Sequence, residues 1–584
     1  MKFTYSKIAM ILALSSVLGA CNSDSSKDES VVGASPVEET TKSSVTGYLK
    51  DYYTNTALVQ KSVQLSINGV VVDSTMSDEN GAFELQFLDT LIFDNAIISS
   101  DAVGYTEVSK RITNNETSAE NNLYLPPIHA EAVFSASENS ELQVNGEKLV
   151  SIEANSFVDA NGEFVTGQIT SELFIIDPTN DIDLMPGEMI TASATDPSAE
   201  VPIESFGAIT ATFTTEAGET VQLAEGKTAE IRIPVSGENP PATIPLYYYD
   251  NIDGIWVEEG TAALTNIEGT NYYVGNVSHF TTWNADIVYE TVLIGGCVVD
   301  TEGVAISSAR ISTEGLDYNG RATAYSDVQG NFSIAARIDS QVFVSANTGQ
   351  QSRTLTVATD DQNVSINECL VLDNATSKIE LKWGISPTDL DSHFYGPDDG
   401  DTRFHIAYYD TTEVVNGSSI YLDVDDTDSY GPEIITVPEY SLPGIYKYAI
   451  YNYSGEASID RSDTRVELIL DDERTLFVPP EGETKNWWHV FEIEVFEDGT
   501  KVVTTINEWS DIAPEETNNE DYTEEGELGE ELESIIDEIL ANQPQSLSTR
   551  SITTFSNNDE TQTTNEASQS NTAAFKLTDK YYAK

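Results

Sequence analysis

Acidic side chains recur at close spacing in two places in the C-terminal half of the sequence. Asp389, Asp391 and His393 alternate with other residues, so on a β-strand all three side chains would project from one face. The second cluster consists of Asp423, Asp425, Asp426 and Asp428. Oxygen donors at this density suit Ca²⁺, which takes about six to eight oxygen ligands. The alternative is a solvated acidic turn in a chain that is acidic throughout.

The spacing of the second cluster differs from that of an EF-hand. Counted from Asp423, the sixth position is Asp428 rather than glycine, and the twelfth is Ile434 rather than glutamate. Zn²⁺ is disfavoured because this part of the chain lacks cysteine and has few histidines. Calcium is therefore the one candidate cofactor, and no other is predicted.

His489 and Glu492 form an H-x-x-E pattern, which begins the zinc site of metallocarboxypeptidases. No histidine follows position 489 to supply a third ligand, and on a regular strand residues three apart face opposite sides. The H-E-x-x-H, G-x-S-x-G and P-loop patterns are absent. The sequence therefore predicts that the protein is not an enzyme.

Aromatic residues in the same part of the chain could form a platform on which a sugar ring stacks. The alternative is that they fill the core of a β-sandwich, since adjacent strand residues face opposite ways. We favour the core for each of them taken singly. The residues are Tyr408, Tyr409, Tyr451, Tyr453, Trp487 and Trp488.

The charge balance excludes one class of partner. The 584 residues include 98 acidic and only 28 basic side chains, which gives a net charge of −70. Nucleic acid is excluded as a partner because its phosphates would be repelled. Such a charge attracts cations and favours solubility.

The N-terminus has the features of a secretory signal. Lys2 and Lys7 precede a short apolar run that ends in Leu18-Gly-Ala-Cys21. This ending resembles the lipobox of bacterial lipoproteins, in which the cysteine is lipidated and becomes the first mature residue. The resemblance implies residues 1–20 as the signal, lipidation of Cys21 and a membrane-anchored protein of the cell envelope. Asn22, in place of an aspartate that would retain the protein in the inner membrane, favours the outer membrane.

Two further cysteines, Cys297 and Cys369, would lie outside the cytoplasm. An oxidising compartment favours one disulfide between them, and the alternative is two free buried thiols.

Short alternating strands between turn residues predict an all-β fold of tandem β-sandwiches. A motif S-D-x-x-G-x-F occurs twice, at 77–83 and 326–332, and predicts a hairpin in which aspartate opens the turn and glycine takes a positive φ. With their upstream glycine-bearing strands, these segments resemble carboxypeptidase regulatory-like domains, which are transthyretin-like sandwiches. That resemblance implies accessory modules without catalysis. It also implies that Cys297 and Cys369 lie on the first and last strands of the second copy.

A third resemblance concerns the C-terminal half. It resembles the YfaP-like domain, whose function is unknown. The residues that carry this resemblance are Trp383, the Asp389–His393 segment, the Asp423–Asp428 cluster, Gly431-Pro-Glu433 and Trp487-Trp-His489. The predicted organisation is a signal (1–20), a flexible tether (21–43), a regulatory-like sandwich (44–128), a β-rich domain (129–290), a second regulatory-like sandwich (291–375), a YfaP-like domain (376–510) and an acidic, largely disordered tail (511–584) with one short helix near 529–541.

The sequence predicts a non-enzymatic lipoprotein of the cell envelope that acts as a binding, adhesive or structural array. An alternative function is binding of a carbohydrate or a peptide through residues 376–510, assisted by Ca²⁺. A hydrolase with an unfamiliar site is a further alternative. The expected partners are the membrane, through the lipid anchor, and a carbohydrate or protein ligand.

Overall fold

Alternating apolar residues form strands along the whole of the chain that the structure describes. The computed structural model describes residues 41–91, 93, 95–117, 119–237, 239–348, 350–372, 377–400, 402–427, 429–471 and 473–514. No α-helix occurs in these ranges, and the prediction of an all-β fold with tandem sandwich domains is confirmed. Cys21, the predicted signal, the acidic tail after residue 514 and the predicted helix near 529–541 lie outside the described residues.

The first domain is a sandwich of a three-stranded sheet, ordered β4-β1-β7, and a four-stranded sheet, ordered β3-β2-β5-β6. Val63, Leu65 and Ile67 of β2 point into the core between them, as their alternation predicts. The first two residues of β1 pair with β4, so the predicted tether ends earlier than residue 43. The strands are β1 (Lys42–Asp51), β2 (Ser62–Ile67), β3 (Val70–Met76), β4 (Ala82–Leu88), β5 (Ala96–Ser100), β6 (Val108–Ile112) and β7 (Leu123–Leu125), with a 3₁₀ turn at Asn114–Glu116.

The second domain contains an eleven-stranded sheet whose path runs β8-β12-β14-β20-β17-β18-β19-β16-β10-β9, with β13 paired to β14 and β18. Phe157, Phe213, Phe280 and Trp283 lie in its core. The strands are β8 (Ala130–Ser135), β9 (Ser140–Val144), β10 (Glu147–Ile152), β11 (Phe157–Val158), β12 (Gln168–Ile176), β13 (Ile190–Ala192), β14 (Glu200–Thr215), β15 (Gln222–Leu223), β16 (Ala229–Pro234), β17 (Thr243–Asp250), β18 (Ile255–Ile267), β19 (Thr270–Val277) and β20 (Thr282–Val288), with a 3₁₀ turn at Ile182–Leu184.

The third domain repeats the two-sheet arrangement of the first. Its strand β21 pairs with β24, β27 and β28, and it faces a sheet ordered β23-β22-β25-β26. Cys297 on β21 and Cys369, just before β28, form a disulfide with a Cα–Cα distance of 4.5 Å. The strands are β21 (Thr291–Asp300), β22 (Arg310–Gly315), β23 (Arg321–Tyr325), β24 (Asn331–Arg337), β25 (Gln341–Asn347), β26 (Leu355–Ala358), β27 (Val364–Ser365) and β28 (Leu370–Leu372).

The fourth domain packs a six-stranded sheet, ordered β32-β33-β34-β29-β36-β37, on a five-stranded sheet, ordered β31-β30-β35-β38-β39. Trp383, Phe394 and Trp488 are among the side chains buried between the two sheets. The strands are β29 (Ser377–Lys382), β30 (Asp391–Pro397), β31 (Arg403–Ile406), β32 (Thr412–Val415), β33 (Ser418–Val424), β34 (Glu433–Val437), β35 (Gly444–Tyr451), β36 (Arg465–Leu470), β37 (Glu473–Phe477), β38 (Trp487–Val495) and β39 (Lys501–Ser510).

The repeated S-D-x-x-G-x-F motif forms a turn between sheets, so the prediction of a hairpin is wrong. In the first domain it leads from β3 to β4, which belong to opposite sheets, and the same holds for β23 and β24 in the third. The local chemistry is as predicted. Asp78 Oδ1 accepts the backbone N–H groups of the residues two and four positions later, at 2.8 and 2.9 Å, and Asp327 does the same at 2.9 Å for both.

Basic side chains, scarce in this chain, concentrate where the domains meet. Arg310 of the third domain donates to Glu188 of the second, at 2.5 Å, and Arg474 of the fourth donates to the backbone carbonyl of Tyr52 in the first, at 2.6 Å. Other cross-domain pairs in the described part of the chain include Arg111–Glu200, Arg310–Glu116, Arg321–Asp183, Arg337–Glu204, Arg353–Asp423, Lys382–Glu314 and Arg465–Asp181. Together with the apolar contacts of Tyr52 and Phe343, these pairs join the four domains into one compact unit.

A polar cavity of about 340 Å³ lies where the domains converge. Each domain contributes to its wall, and the lining residues include Arg111, Glu188, Arg310 and Lys378. Most of the charged residues in the wall are already paired with one another, so we regard this cavity as part of the domain junction.

Candidate functional site

An acidic cluster lies at one end of the fourth domain, where its two sheets meet. Asp391 is the first residue of β30 in one sheet, and Glu433 is the first residue of β34 in the other. Asp425 lies in the connection between β33 and β34. One carboxylate oxygen from each of the three residues lies within 4.8 Å of the others. The fold therefore brings Asp391 of one sheet next to Asp425 and Glu433, which follow it by more than thirty residues.

Two members of this cluster are buried. The exposed fraction is 3% for Asp391 and 1% for Glu433, whereas Asp425 is exposed. Glu433 Oε2 accepts the backbone N–H of Ser392. The other Glu433 oxygen, Oε1, and Asp391 Oδ2 are buried without a hydrogen-bond partner among the described residues. Buried polar atoms in native proteins are normally satisfied, so both oxygens require an explanation.

The electrostatics of the cluster follow from this burial. Burial, reinforced by the negative charges of Asp389 and Asp425, raises the pKa of Asp391 to about 7. Burial also raises the pKa of Glu433 well above its usual range, and the adjacent Asp425 and Asp391 add to the effect. Like charges in a desolvated place disfavour ionisation, so the cluster needs a proton or a cation to balance its charge.

Of the other predicted ligands, Asp423 is turned away from this group, whereas Asp389 stays close to Asp391. Asp423 is turned to the third domain, where it accepts hydrogen bonds from Arg353 Nε at 2.6 Å and Thr354 N at 3.1 Å. Asp389 lies just before β30, close enough for its charge to affect Asp391. Asp426 is half-buried in the β33–β34 connection, and Asp428 lies outside the described residues.

His393 belongs to a second arrangement. Its Nδ1 is 2.8 Å from Nε2 of His405, and Nδ1 of His405 is 2.8 Å from the hydroxyl of Tyr409. Burial lowers the pKa of His393 to about 3 and that of His405 to about 4. Both imidazoles are therefore neutral at pH 7. The ring of Tyr395 stacks on His405 with 4.0 Å between centroids.

Three tyrosines form an exposed aromatic patch beside the acidic cluster. The exposed fractions of Tyr408, Tyr409 and Tyr453 are 43, 60 and 53%. The ring centroid of Tyr408 is 4.9 Å from that of Tyr409 and 5.4 Å from that of Tyr453. The patch is linked to the strand of Asp391, because Tyr409 contacts His405, which in turn contacts His393 on β30.

The remaining aromatic candidates divide between surface and core. Trp488 is fully buried and donates from Nε1 to Asn507 Oδ1 at 2.7 Å. Trp487 and Tyr451 are half-buried, with 4.8 Å between ring centroids. The prediction that each aromatic residue lies in the core is therefore confirmed for Trp488 and wrong for the three residues of the tyrosine patch.

The H-x-x-E pattern requires a correction. The register of β38 against its neighbours shifts between His489 and Phe491, so a β-bulge interrupts the alternation. The burial pattern of β38 places His489 and Glu492 on the same side, contrary to the expectation for a regular strand. His489 Nε2 is 3.0 Å from the backbone carbonyl of Ile512 and donates to it. Nε2 of His489 is therefore engaged in a hydrogen bond to the backbone.

Glu433 was not among the ligands predicted from the sequence. It stands alone among apolar neighbours, whereas the prediction relied on carboxylates close together in sequence. The available signal was its place at the start of a strand directly after the Asp423–Asp428 segment. A glycine at 431 is required there, because the backbone has a φ of +72° and a Cβ would lie 2.6 Å from the Trp383 ring.

No family model matches this chain. Among solved structures, a protein of unknown function, SAV2460, is 17% identical over 24% of this chain and 94% of its own, with a TM-score of 0.19. BcpA, the major pilin subunit of Bacillus cereus, is 11% identical over 57% of this chain and 100% of its own, with a TM-score of 0.13. A streptococcal ancillary pilin is 10% identical over 42% of this chain and 91% of its own, also with a TM-score of 0.13. TM-scores this low support no inference about fold or function.

The class of this protein is therefore defined by its own structure. The described residues form a multidomain all-β protein with an acidic cluster and an exposed tyrosine patch in its fourth domain. No helix in the described part of the chain is long and apolar enough to cross a membrane.

Proposed function

We propose that this protein is a non-enzymatic binding or structural module of the cell envelope. The observation that carries the proposal is the set of ion pairs between domains. Arg310 connects the third domain to the second, and Arg465 and Arg474 connect the fourth domain to the second and the first. An array of sandwiches joined in this way suits a firm support that presents a surface. It does not by itself create a reaction site.

The proposed location depends on the N-terminus. Lipidation of Cys21 would attach the array to a membrane, and the residue after it, Asn22, favours the outer membrane. The carboxypeptidase regulatory-like and YfaP-like resemblances remain part of this proposal, since accessory modules of the first kind lack catalysis.

Fractionation of cells tests the location. Full-length protein is expected in the membrane fraction, and Cys21→Ser is expected to leave it. Ser25→Ala, four residues further on, is a matched control that retains Cys21 and should remain in the membrane fraction. Retention of Cys21→Ser in the membrane to the same extent as Ser25→Ala would refute the lipid anchor.

A second candidate function is recognition of a carbohydrate or a peptide by the fourth domain. The observation that favours it is the exposed patch of Tyr408, Tyr409 and Tyr453, because aromatic faces at a surface stack on sugar rings and pack on peptide side chains. The Tyr408 ring contacts the other two, and all three leave a large part of their area in solvent.

Binding and turnover can be separated in one experiment. Full-length protein is incubated with a glycan array and with envelope polysaccharide, and the ligand is then recovered and weighed by mass spectrometry. We expect the protein to bind a ligand and leave it chemically unchanged. Tyr409→Ala and Tyr453→Ala should weaken this binding. Phe164→Ala, an exposed aromatic in the second domain, is the control. Cleaved ligand would favour the hydrolase alternative.

A further inference from the structure

We propose that Asp391, Asp425 and Glu433 bind a divalent cation of the calcium type at the end of the fourth domain. The proposal goes beyond the function proposed above, because it assigns a metal site that neither the array nor the tyrosine patch requires. It differs from the site predicted from sequence, since it keeps only Asp391 and Asp425 of the seven predicted ligands and adds Glu433.

The geometry admits one ion between the three residues. Their carboxylate oxygens lie within 4.8 Å of one another, and they come from three different segments of the domain. An ion at about 2.4 Å from each oxygen, the usual distance for Ca²⁺, can bridge oxygens with this separation. The three ligands would then connect the two sheets through the metal.

An independent observation points to a ligand inside the cluster. Asp391 Oδ2 and Glu433 Oε1 belong to side chains that are at least nine-tenths buried, and neither oxygen has a hydrogen-bond partner among the described residues. A buried carboxylate oxygen loses its hydration and needs compensation. Glu433 Oε2 accepts the N–H of Ser392, so Oε1 is the oxygen of this side chain that is left without compensation.

The donor atoms determine the class of cation. All three side chains offer oxygen, and hard cations such as Ca²⁺ prefer oxygen, whereas Zn²⁺ prefers imidazole and thiolate. His393, on the same strand as Asp391, does not belong to the group of close ligand atoms. Mg²⁺ demands a stricter octahedral geometry and gives up its waters reluctantly, so a site with two buried carboxylates favours Ca²⁺.

The site has an entrance. Asp425 is exposed, so an ion can reach the cluster from solvent and can retain water on that side. The chain carries a net charge of −70, which raises the local concentration of cations around the protein. Tyr409 is linked through His405 to His393, two residues from Asp391 on β30, so its ring can sensitise the luminescence of a bound lanthanide.

Full-length protein, stripped of metal with a chelator, is the sample for the test. Tb³⁺ luminescence excited through tyrosine is titrated at about 0.15 M salt, where surface charge is screened, and Ca²⁺ is then added as a competitor. Thermal melting with Ca²⁺, Mg²⁺ or Zn²⁺ follows. We expect one site, displacement of Tb³⁺ by Ca²⁺, and a melting temperature that Ca²⁺ raises more than the other two ions.

Three variants locate the site. Asp425→Asn and Glu433→Gln are expected to weaken Tb³⁺ and Ca²⁺ binding by at least about tenfold and to abolish the melting shift. Glu483→Gln, an exposed acid elsewhere in the fourth domain, should behave as the wild type. Asp425 is exposed, so Asp425→Asn should fold even if Glu433→Gln does not.

The outcomes are decisive in both directions. Loss of the calcium response in Asp425→Asn, with the response kept in Glu483→Gln, supports the site. An equal calcium response in Asp425→Asn and the wild type would overturn it. So would a wild type that does not respond to Ca²⁺, since the cluster would then be balanced by protons. Preferred binding of Zn²⁺ or Mg²⁺ would overturn the assignment to calcium.

Discussion

Arg465 of the fourth domain lies 3.0 Å from Asp181 of the second domain, Nη2 to Oδ1. The other oxygen of the same carboxylate, Oδ2, accepts the hydroxyl of Tyr52 from the first domain at 2.8 Å. The side chain of Asp181 is almost fully buried. One carboxylate therefore joins three domains, and the arginine side chain that pairs with it is largely buried. Buried pairs of this kind are sensitive to the loss of one partner.

Replacement of this junction carboxylate should loosen the array. Asp181→Asn removes the charge that balances Arg465 and should destabilise the protein by about 3 kcal/mol in urea denaturation. The exposed pair Lys227–Glu153, at 3.5 Å, offers the control. Glu153→Gln should change stability by less than about 0.5 kcal/mol. Equal effects of the two substitutions would contradict the role of Asp181 as a junction.

The disulfide should stabilise the third domain. Cys297 and Cys369 are separated by 72 residues. In the chain-entropy model, a loop of this length stabilises by about 4 kcal/mol. The double variant Cys297→Ser/Cys369→Ser should lower the unfolding midpoint of the third domain by a corresponding amount, measured by urea denaturation. Reduction of the wild type with dithiothreitol should reproduce the change and should leave the double variant unaffected.

His129 should make stability depend on pH. Burial lowers its pKa to about 3, and its Nδ1 accepts the backbone N–H of Ile175 at 3.1 Å, which only a neutral imidazole can do. The unfolded chain takes up the proton near pH 6.5, so the stabilisation is complete above that pH and is lost as the pH falls toward 3.

The measurement compares His129→Gln with the wild type at two values of pH. Between pH 7 and pH 5 the wild type should lose about 1–2 kcal/mol more than the variant, which has no imidazole to protonate. Urea denaturation at each pH gives the free energy of unfolding of both proteins. The contributions of the carboxylates, which the two proteins share, cancel in the difference. Parallel losses in the two proteins would show that His129 is not responsible.

Gly330 should be essential to the turn between the sheets of the third domain. Its φ is +79°, and a Cβ would lie 2.6 Å from the carbonyl oxygen of Val298. Gly330→Ala should therefore destabilise the domain by about 3 kcal/mol or more, since a steric overlap adds to the backbone strain. Gly303 has the same φ of +79°, but a Cβ there would meet no atom within 4 Å, so Gly303→Ala should cost only about 1 kcal/mol.

Local sequence patterns predicted individual strands well and connections poorly. The alternation at Val63–Ile67 became a strand with the expected face inward. The S-D-x-x-G-x-F turn has the predicted aspartate and glycine geometry, yet it joins two sheets where a hairpin was expected. The sheet that the next strand joins is decided by distant pairing partners, such as β1 for β4, which a local motif does not contain.

The acidic site shows the same limit at the level of single residues. Asp391 and Asp425 were predicted from clusters of carboxylates, and the fold brings them together. Asp423 is captured by Arg353 of another domain, a contact that no spacing within the fourth domain encodes. Glu433 is isolated in sequence and joins the site because two sheets meet. A β-bulge between His489 and Phe491 likewise reverses the face expected for Glu492.

The contact of Arg474 with Tyr52 has a mechanical consequence. These residues are 422 positions apart, and the guanidinium lies 4.4 Å from the centre of the Tyr52 ring while it binds the carbonyl of the same residue. A pulling force between the first strand and the fourth domain would pass directly through this contact. The contact would share this load with the Asp181 junction, which binds Tyr52 and Arg465. The array would then lengthen in steps rather than stretch gradually.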